Sequence, residues 1–148
     1  MALTGKSTGD EADIINMSIS GPPSLTDPLR LVIDNIVKKG VIIVAAAGNE
    51  GDFGTNSMSI TTPSDSLYSI TVGGPEINGS KISYFSSIGP TSDLNVKPDI
   101  TAPVKAMAAS PGGGYHEIFG TSVSTAYITG SVALILEYIL KNNITLSK

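Results

Sequence analysis

Asp27-Pro28-Leu29-Arg30-Leu31-Val32-Ile33-Asp34-Asn35-Ile36-Val37-Lys38-Lys39-Gly40, followed at once by Val41-Ile42-Ile43-Val44-Ala45-Ala46-Ala47, decides the fold. Asp27 is a good helix N-cap, and Pro28 suits the first helical position, where a backbone N–H has no partner to lose. Leu29, Val32, Ile33, Ile36 and Val37 recur at i, i+3, i+4 spacing, with Arg30, Asp34, Lys38 and Lys39 turned the other way. That period predicts an amphipathic helix, with Gly40 as its C-terminal cap. Val41 to Ala47 shows no polar alternation. Such a run suits a strand buried on both faces, the usual state of a parallel sheet under helices. Upstream, Asp13 to Ser20 reads as a strand ended by Gly21-Pro22-Pro23. Strand, helix and strand make a βαβ unit, expected to be right-handed. The fold class that follows is α/β: a mainly parallel sheet with helices on both faces, here in partial form.

Further along, Tyr68 to Val72 predicts a third strand, and Lys81 to Phe85 a fourth after the turn at Asn78-Gly79. Asp99 to Pro103 reads as short and extended, and Pro111-Gly112-Gly113-Gly114 as a turn-rich bend. From Thr121 to about Leu140 the chain is helical and apolar nearly all round, through Val123, Ala126, Ile128, Val132, Ala133, Leu134, Leu136, Ile139 and Leu140. That pattern predicts a core helix, and Gly130 in its middle suggests close backbone packing. Residues 1–12 read as a flexible lead-in and 141–148 as a polar tail. Within the lead-in, Gly5-Lys6-Ser7-Thr8 is like the end of a phosphate-binding loop, but the motif's first glycine and its preceding strand are missing.

Composition narrows the classes. With 148 residues there is room for one domain or a piece of one, and 41% apolar residues with 16 Gly and 9 Pro describe a turn-rich globular chain. A net charge of -4 without a Lys/Arg cluster argues against a nucleic-acid partner. The absence of cysteine excludes a disulfide scaffold and a thiolate metal site; no metal or other cofactor is expected. No apolar signal-peptide core lies between Met1 and Asp13, and the longest apolar run, Gly40 to Ala47, is too short to cross a bilayer, so no membrane partner is expected. Localisation stays open.

Two short motifs carry chemistry. Gly120-Thr121-Ser122 opens the C-terminal helix, and Gly48-Asn49 ends the buried strand. A serine at a helix N-terminus can act as a nucleophile, and an asparagine at the carboxyl end of a parallel strand can donate its side-chain amide to a developing oxyanion. Each motif also has an ordinary reading, Ser/Thr as helix caps and Gly-Asn-Glu-Gly as a turn. The only histidine, His116, lies in a glycine-rich stretch and is expected to face solvent.

Taken in order, five segments resemble the subtilisin-like serine proteases: Ile15-Asn16-Met17-Ser18-Ile19-Ser20-Gly21-Pro22, Val44-Ala45-Ala46-Ala47-Gly48-Asn49-Glu50-Gly51, Phe85-Ser86-Ser87-Ile88-Gly89-Pro90, Lys97-Pro98-Asp99-Ile100-Thr101-Ala102-Pro103 and Gly120-Thr121-Ser122. The resemblance implies that residues 13–140 are the C-terminal half of a subtilase-like catalytic domain. It implies Ser122 as nucleophile and Asn49 as side-chain oxyanion donor, joined by the backbone N–H of Ser122. It also implies Ser18, Ile19 and Ser20 as the strand edge that pairs with a polypeptide substrate, and Ala46, Ala47 and Gly48 as the opposite wall. The family's Asp-Thr/Ser-Gly and His-Gly-Thr-His motifs do not occur in this chain. Ser20 and Val104 stand where glycine is usual, and Thr125-Ala126-Tyr127 where Ser/Thr-Pro-His is common. The expectation is an endopeptidase fragment, inactive alone. The alternatives are a non-catalytic subtilase-like binding or assembly domain and, more weakly, an esterase using the same serine. An exposed sheet edge at Asp13–Ser20 is expected to drive homo-oligomer formation.

Overall fold

The computed structural model describes residues 12–51, 58–76 and 78–145. The lead-in with its Gly5-Lys6-Ser7-Thr8, apart from Ala12, and the last three residues of the tail lie outside them. Four parallel strands, β1 (Ile14–Met17), β2 (Ile42–Ala46), β3 (Ile70–Gly73) and β4 (Ile100–Thr101), form one sheet in the order β1-β2-β3-β4. Helix α1 (Pro28–Lys38) joins β1 to β2, which lie side by side in parallel, so the expected βαβ unit is present. A separate antiparallel hairpin, β5 (Lys105–Ala109) and β6 (Tyr115–Phe119), precedes helix α2 (Thr121–Lys141).

Local chemistry explains the first helix. The Asp27 carboxylate accepts the Leu29 N–H at 2.8 Å, and Gly40 donates to the Val37 carbonyl at 2.8 Å with φ +93°, a conformation that suits glycine. Its buried stripe is narrower than the sequence predicts. Ile33 is fully buried and Leu29, Ile36 and Val37 are half-buried, but Val32 is exposed. Strand β2 meets its expectation: Ile43, Val44, Ala45 and Ala46 are all buried. Val44, Val72 and Ala102 form a core against which Ile14, Ile42, Ile70 and Ile128 of α2 pack. Alternation along β2 sends Ile43 and Ala45 to the opposite face, so the sheet is covered on both sides. A buried lysine ties β3 to the approach of β4. Lys97 Nζ donates to the Ser69 carbonyl at 2.7 Å and to Asp99 Oδ2 at 2.6 Å, while Asp99 Oδ2 also accepts the Thr71 N–H at 2.7 Å.

Four expectations need correction. Lys81–Phe85 is not a strand; it turns after a single bridge between Pro75 and Ile82. The hairpin β5–β6 replaces what reads as a simple bend at Pro111–Gly114. Helix α2 is not a core helix in this chain: Thr121, Val123, Ser124 and Thr125 are its buried residues, whereas Leu134, Ile135, Tyr138 and Leu140 are exposed. At Gly130 nothing approaches a would-be Cβ within 4 Å, so no close backbone packing explains that glycine. By length and apolarity alone α2 is long enough to cross a membrane, a point that counting uninterrupted apolar runs misses.

Candidate active site

The end of β2 and the start of α2 meet through one side chain. Asn49 Oδ1 accepts the Thr121 backbone N–H at 3.0 Å and the Thr121 hydroxyl at 3.1 Å. The Thr121 hydroxyl also lies 3.2 Å from the Gly48 carbonyl. This satisfies one of the free N–H groups that every helix start presents, with a side chain from 72 residues upstream. Gly120 makes the approach possible. It sits at φ +134°, and a Cβ there would stand 3.5 Å from Asn49 Nδ2. With Oδ1 committed to Thr121, the amide Nδ2 has no acceptor among the described residues.

Ser122 follows directly, half-buried in the first turn of α2. Its carbonyl accepts the Ser18 hydroxyl at 3.0 Å, which ties the helix start to the segment leaving β1. Thr129 adds a second tie lower on α2, donating to Asn16 Oδ1 at 2.9 Å. A cleft of about 590 Å³ opens beside Ser122, lined by Ser18, Met107, Ile118 and Tyr127 among others. No histidine and no carboxylate lines it.

The other predicted site residues fall around this junction. Ser18, Ile19 and Ser20 leave β1 with Ile19 and Ser20 exposed, and Ala46, Ala47 and Gly48 run buried into Asn49. Gly48 has φ +112°, and a Cβ there would lie 2.4 Å from Glu50 Oε2 and 2.6 Å from Ser87 Oγ, so only glycine fits. His116 lies on β6 rather than in a loop, and it is exposed as expected. It pairs with Ala108 near the turn of the hairpin, and its Nδ1 is 2.6 Å from Ser110 Oγ. Three strand residues, about 10 Å of chain, separate it from Phe119, where β6 hands over to α2. Two residues that hold the site were not singled out from sequence: Thr121, whose place beside Ser122 was the available signal, and Glu50. The Glu50 N–H donates to Ser87 Oγ at 3.1 Å, and the Ser87 hydroxyl donates to Glu50 Oε2 at 3.1 Å. Among the described residues no group of His, Asp and Glu is placed to hold a metal ion.

Comparison with known proteins matches this geometry to one family. A sequence model described as the subtilase family matches residues 2–146. Subtilisin NAT of Bacillus subtilis subsp. natto is 40% identical over 125 residues, which is 84% of this chain and 30% of that protein. Subtilisin of Bacillus pumilus is likewise 40% identical over 84% of this chain and 42% of its own length. The solved structure of the self-cleaved protease domain of PatA superposes with a TM-score of 0.75 at 29% identity, covering 90% of this chain and 49% of that one. The chain thus spans less than half the length of these relatives. A family of serine endopeptidases with a parallel α/β sheet is what the strand order, the Asn49–Thr121 junction and the matched sequences share, and this chain belongs to it: it is a subtilase-family chain.

Proposed function

We propose that this chain carries the nucleophile side of a subtilase active site and is inactive alone. Ser122 is the nucleophile, and Asn49 Nδ2 with the Ser122 N–H are the oxyanion donors. Ser18–Ser20 and Ala46–Gly48 form the two walls of a polypeptide groove, within a C-terminal half-domain that spans residues 13–140. The observation that carries this reading is the Asn49 carboxamide, fixed by Thr121 one residue before Ser122. A donor held in advance stabilises charge without reorganising when the charge appears. Attack would form a bond from Ser122 Oγ to a substrate carbonyl carbon and release the hydroxyl proton. The cleft beside Ser122 offers no histidine or carboxylate to take that proton, and the sole histidine is engaged with Ser110. An unactivated serine is a poor nucleophile. The pure chain is therefore expected to turn over neither casein nor peptides and to resist a fluorophosphonate label. Stoichiometric labelling at Ser122, read by mass spectrometry, overturns the reading.

A second reading is favoured by the uncovered apolar length of α2, a surface of the kind that marks an interaction site. In it the chain serves as a non-catalytic binding or assembly domain. The coding sequence upstream of Met1 separates the two. Asp and His motifs encoded there support a divided protease site, and a mutated or missing half supports the binding domain. In either reading self-association through the β1 edge and α2 follows.

A further inference from the structure

A second cavity, of about 460 Å³, lies on the other side of Asn49 from the cleft at Ser122, and its lining is chemically asymmetric. Ser20, Gly21 and Pro22 form one side, Met58, Ser59 and Thr61 another, and Glu50 supplies a carboxylate. Glu50 is the only charged group among the described residues that line it. The size is that of an ordinary ligand pocket.

Three observations say what it would hold. The Glu50 carboxylate is fixed rather than free. The Ser87 hydroxyl accepts the Glu50 N–H and donates to Oε2, and the bare backbone of Gly48 lets that oxygen lie against it. Oε1 keeps its acceptor capacity, with no partner among the described residues. None of the lysines or arginines that form ion pairs in the described structure pairs with Glu50. The remaining walls are apolar or neutral, which suits an aliphatic stem as well as a carboxylate suits its head. A long cationic side chain combines the two.

We propose that this cavity takes a lysine or arginine side chain of a bound polypeptide and that Glu50 selects for the cation. The proposal rests on the groove reading above, since Ser20 and Gly21 continue the strand edge assigned to substrate backbone.

The test is calorimetric titration of the 148-residue chain with acetyl-Ala-Ala-Ala-Arg amide and with the same peptide ending in norleucine or glutamate. A charge-assisted hydrogen bond predicts about tenfold tighter binding of the arginine peptide than of the norleucine peptide. The glutamate peptide is expected to bind weakest. In Glu50→Gln the arginine-to-norleucine ratio should fall toward one. In Glu137→Gln, an exposed charge on α2, it should stay near ten. Equal affinity of the unmodified chain for arginine and norleucine peptides overturns the proposal and leaves the groove reading standing, and needs no variant to fold. So does a ratio unchanged in Glu50→Gln. Failure of all three peptides to bind overturns the groove reading and the proposal with it.

Discussion

Asp65 is the residue whose surroundings fit its chemistry least well. It is fully buried, its Oδ2 accepts the Thr62 hydroxyl at 3.0 Å, and its Oδ1 has no partner. Burial raises its pKa above the ordinary 3.8, and the Thr62 hydrogen bond and the Arg30 charge only partly offset that. The consequence for stability has a definite sign. In the unfolded chain this carboxyl ionises near its ordinary value, while in the folded chain it ionises later, so between the two the unfolded state binds fewer protons. Stability from this group is therefore full below pH 3.8 and is lost as pH rises through the higher folded-state value. Asp65→Asn cannot ionise and escapes the loss. Its urea midpoint relative to the parent chain should be more favourable at pH 7 than at pH 3. An equal difference at both pH values would remove the buried carboxylate as the cause. A serine- and threonine-rich stretch such as Thr61-Thr62-Pro63-Ser64-Asp65-Ser66 reads as an exposed turn. It is buried because its polar groups bond inward: Thr61 Oγ1 to the Ala47 carbonyl at 3.2 Å, Ser64 Oγ to the Thr61 carbonyl at 2.7 Å, and Thr71 Oγ1 to the Ser64 carbonyl at 2.6 Å.

Between elements, fit depends on pairs of positions that no local pattern reveals. Val104, between β4 and β5, is buried, and its Cγ1 sits 2.1 Å from where a Cβ on Gly74 would be. The valine, unusual for the family at that place, is accommodated because Gly74 just after β3 has no side chain. Gly74→Ala should overpack this junction and cost about 1–3 kcal/mol, measurable by chemical denaturation. A change within 0.3 kcal/mol, the additivity error between independent sites being about that size, would mean that the strand ends move apart freely. The same contrast explains what could be read in advance. Helix α1 and strand β2 were legible because capping, period and unbroken apolarity are local signals. The family and the Ser122 and Asn49 motifs were legible because five short segments stand in order. The hairpin β5–β6 was not, because alternation in Lys105-Ala106-Met107-Ala108-Ala109 is masked by small residues on both faces. Lys81–Phe85 has the composition of a strand, but its neighbours bond elsewhere: Ser83 donates to the Gly74 carbonyl and Ser86 Oγ accepts the Gly74 N–H. The pocket around Glu50 joins residues 20–22, 50 and 58–61, a proximity that sequence spacing does not show.

At the scale of the whole molecule, two surfaces remain without a protein partner in this chain. Strand β1 is at one edge of the sheet, and α2 exposes Leu134 and Tyr138 to 69% and 63%. An unpaired strand edge and an apolar helix face both favour association, and a two-fold dimer is the simplest closed arrangement. Light scattering at micromolar concentration is expected to give a mass above the 15.2 kDa of one chain. Leu134→Lys together with Tyr138→Lys should shift it toward the monomer. A clean monomer of the unmodified chain would show that these surfaces are tolerated in water. The sheet and its cover also stand far apart along the chain. The four strands are complete at Thr101, yet Ile128, which packs on Val44 and Val72, and Thr129, which reaches Asn16 over 113 residues, come only afterwards. During synthesis, which runs from the N-terminus at roughly 5–20 residues per second, the Val44 face therefore leaves the ribosome seconds before the helix that shields it. For that interval the nascent chain presents a bare parallel sheet to the cytosol, and holding it soluble falls to whatever binds emerging polypeptides.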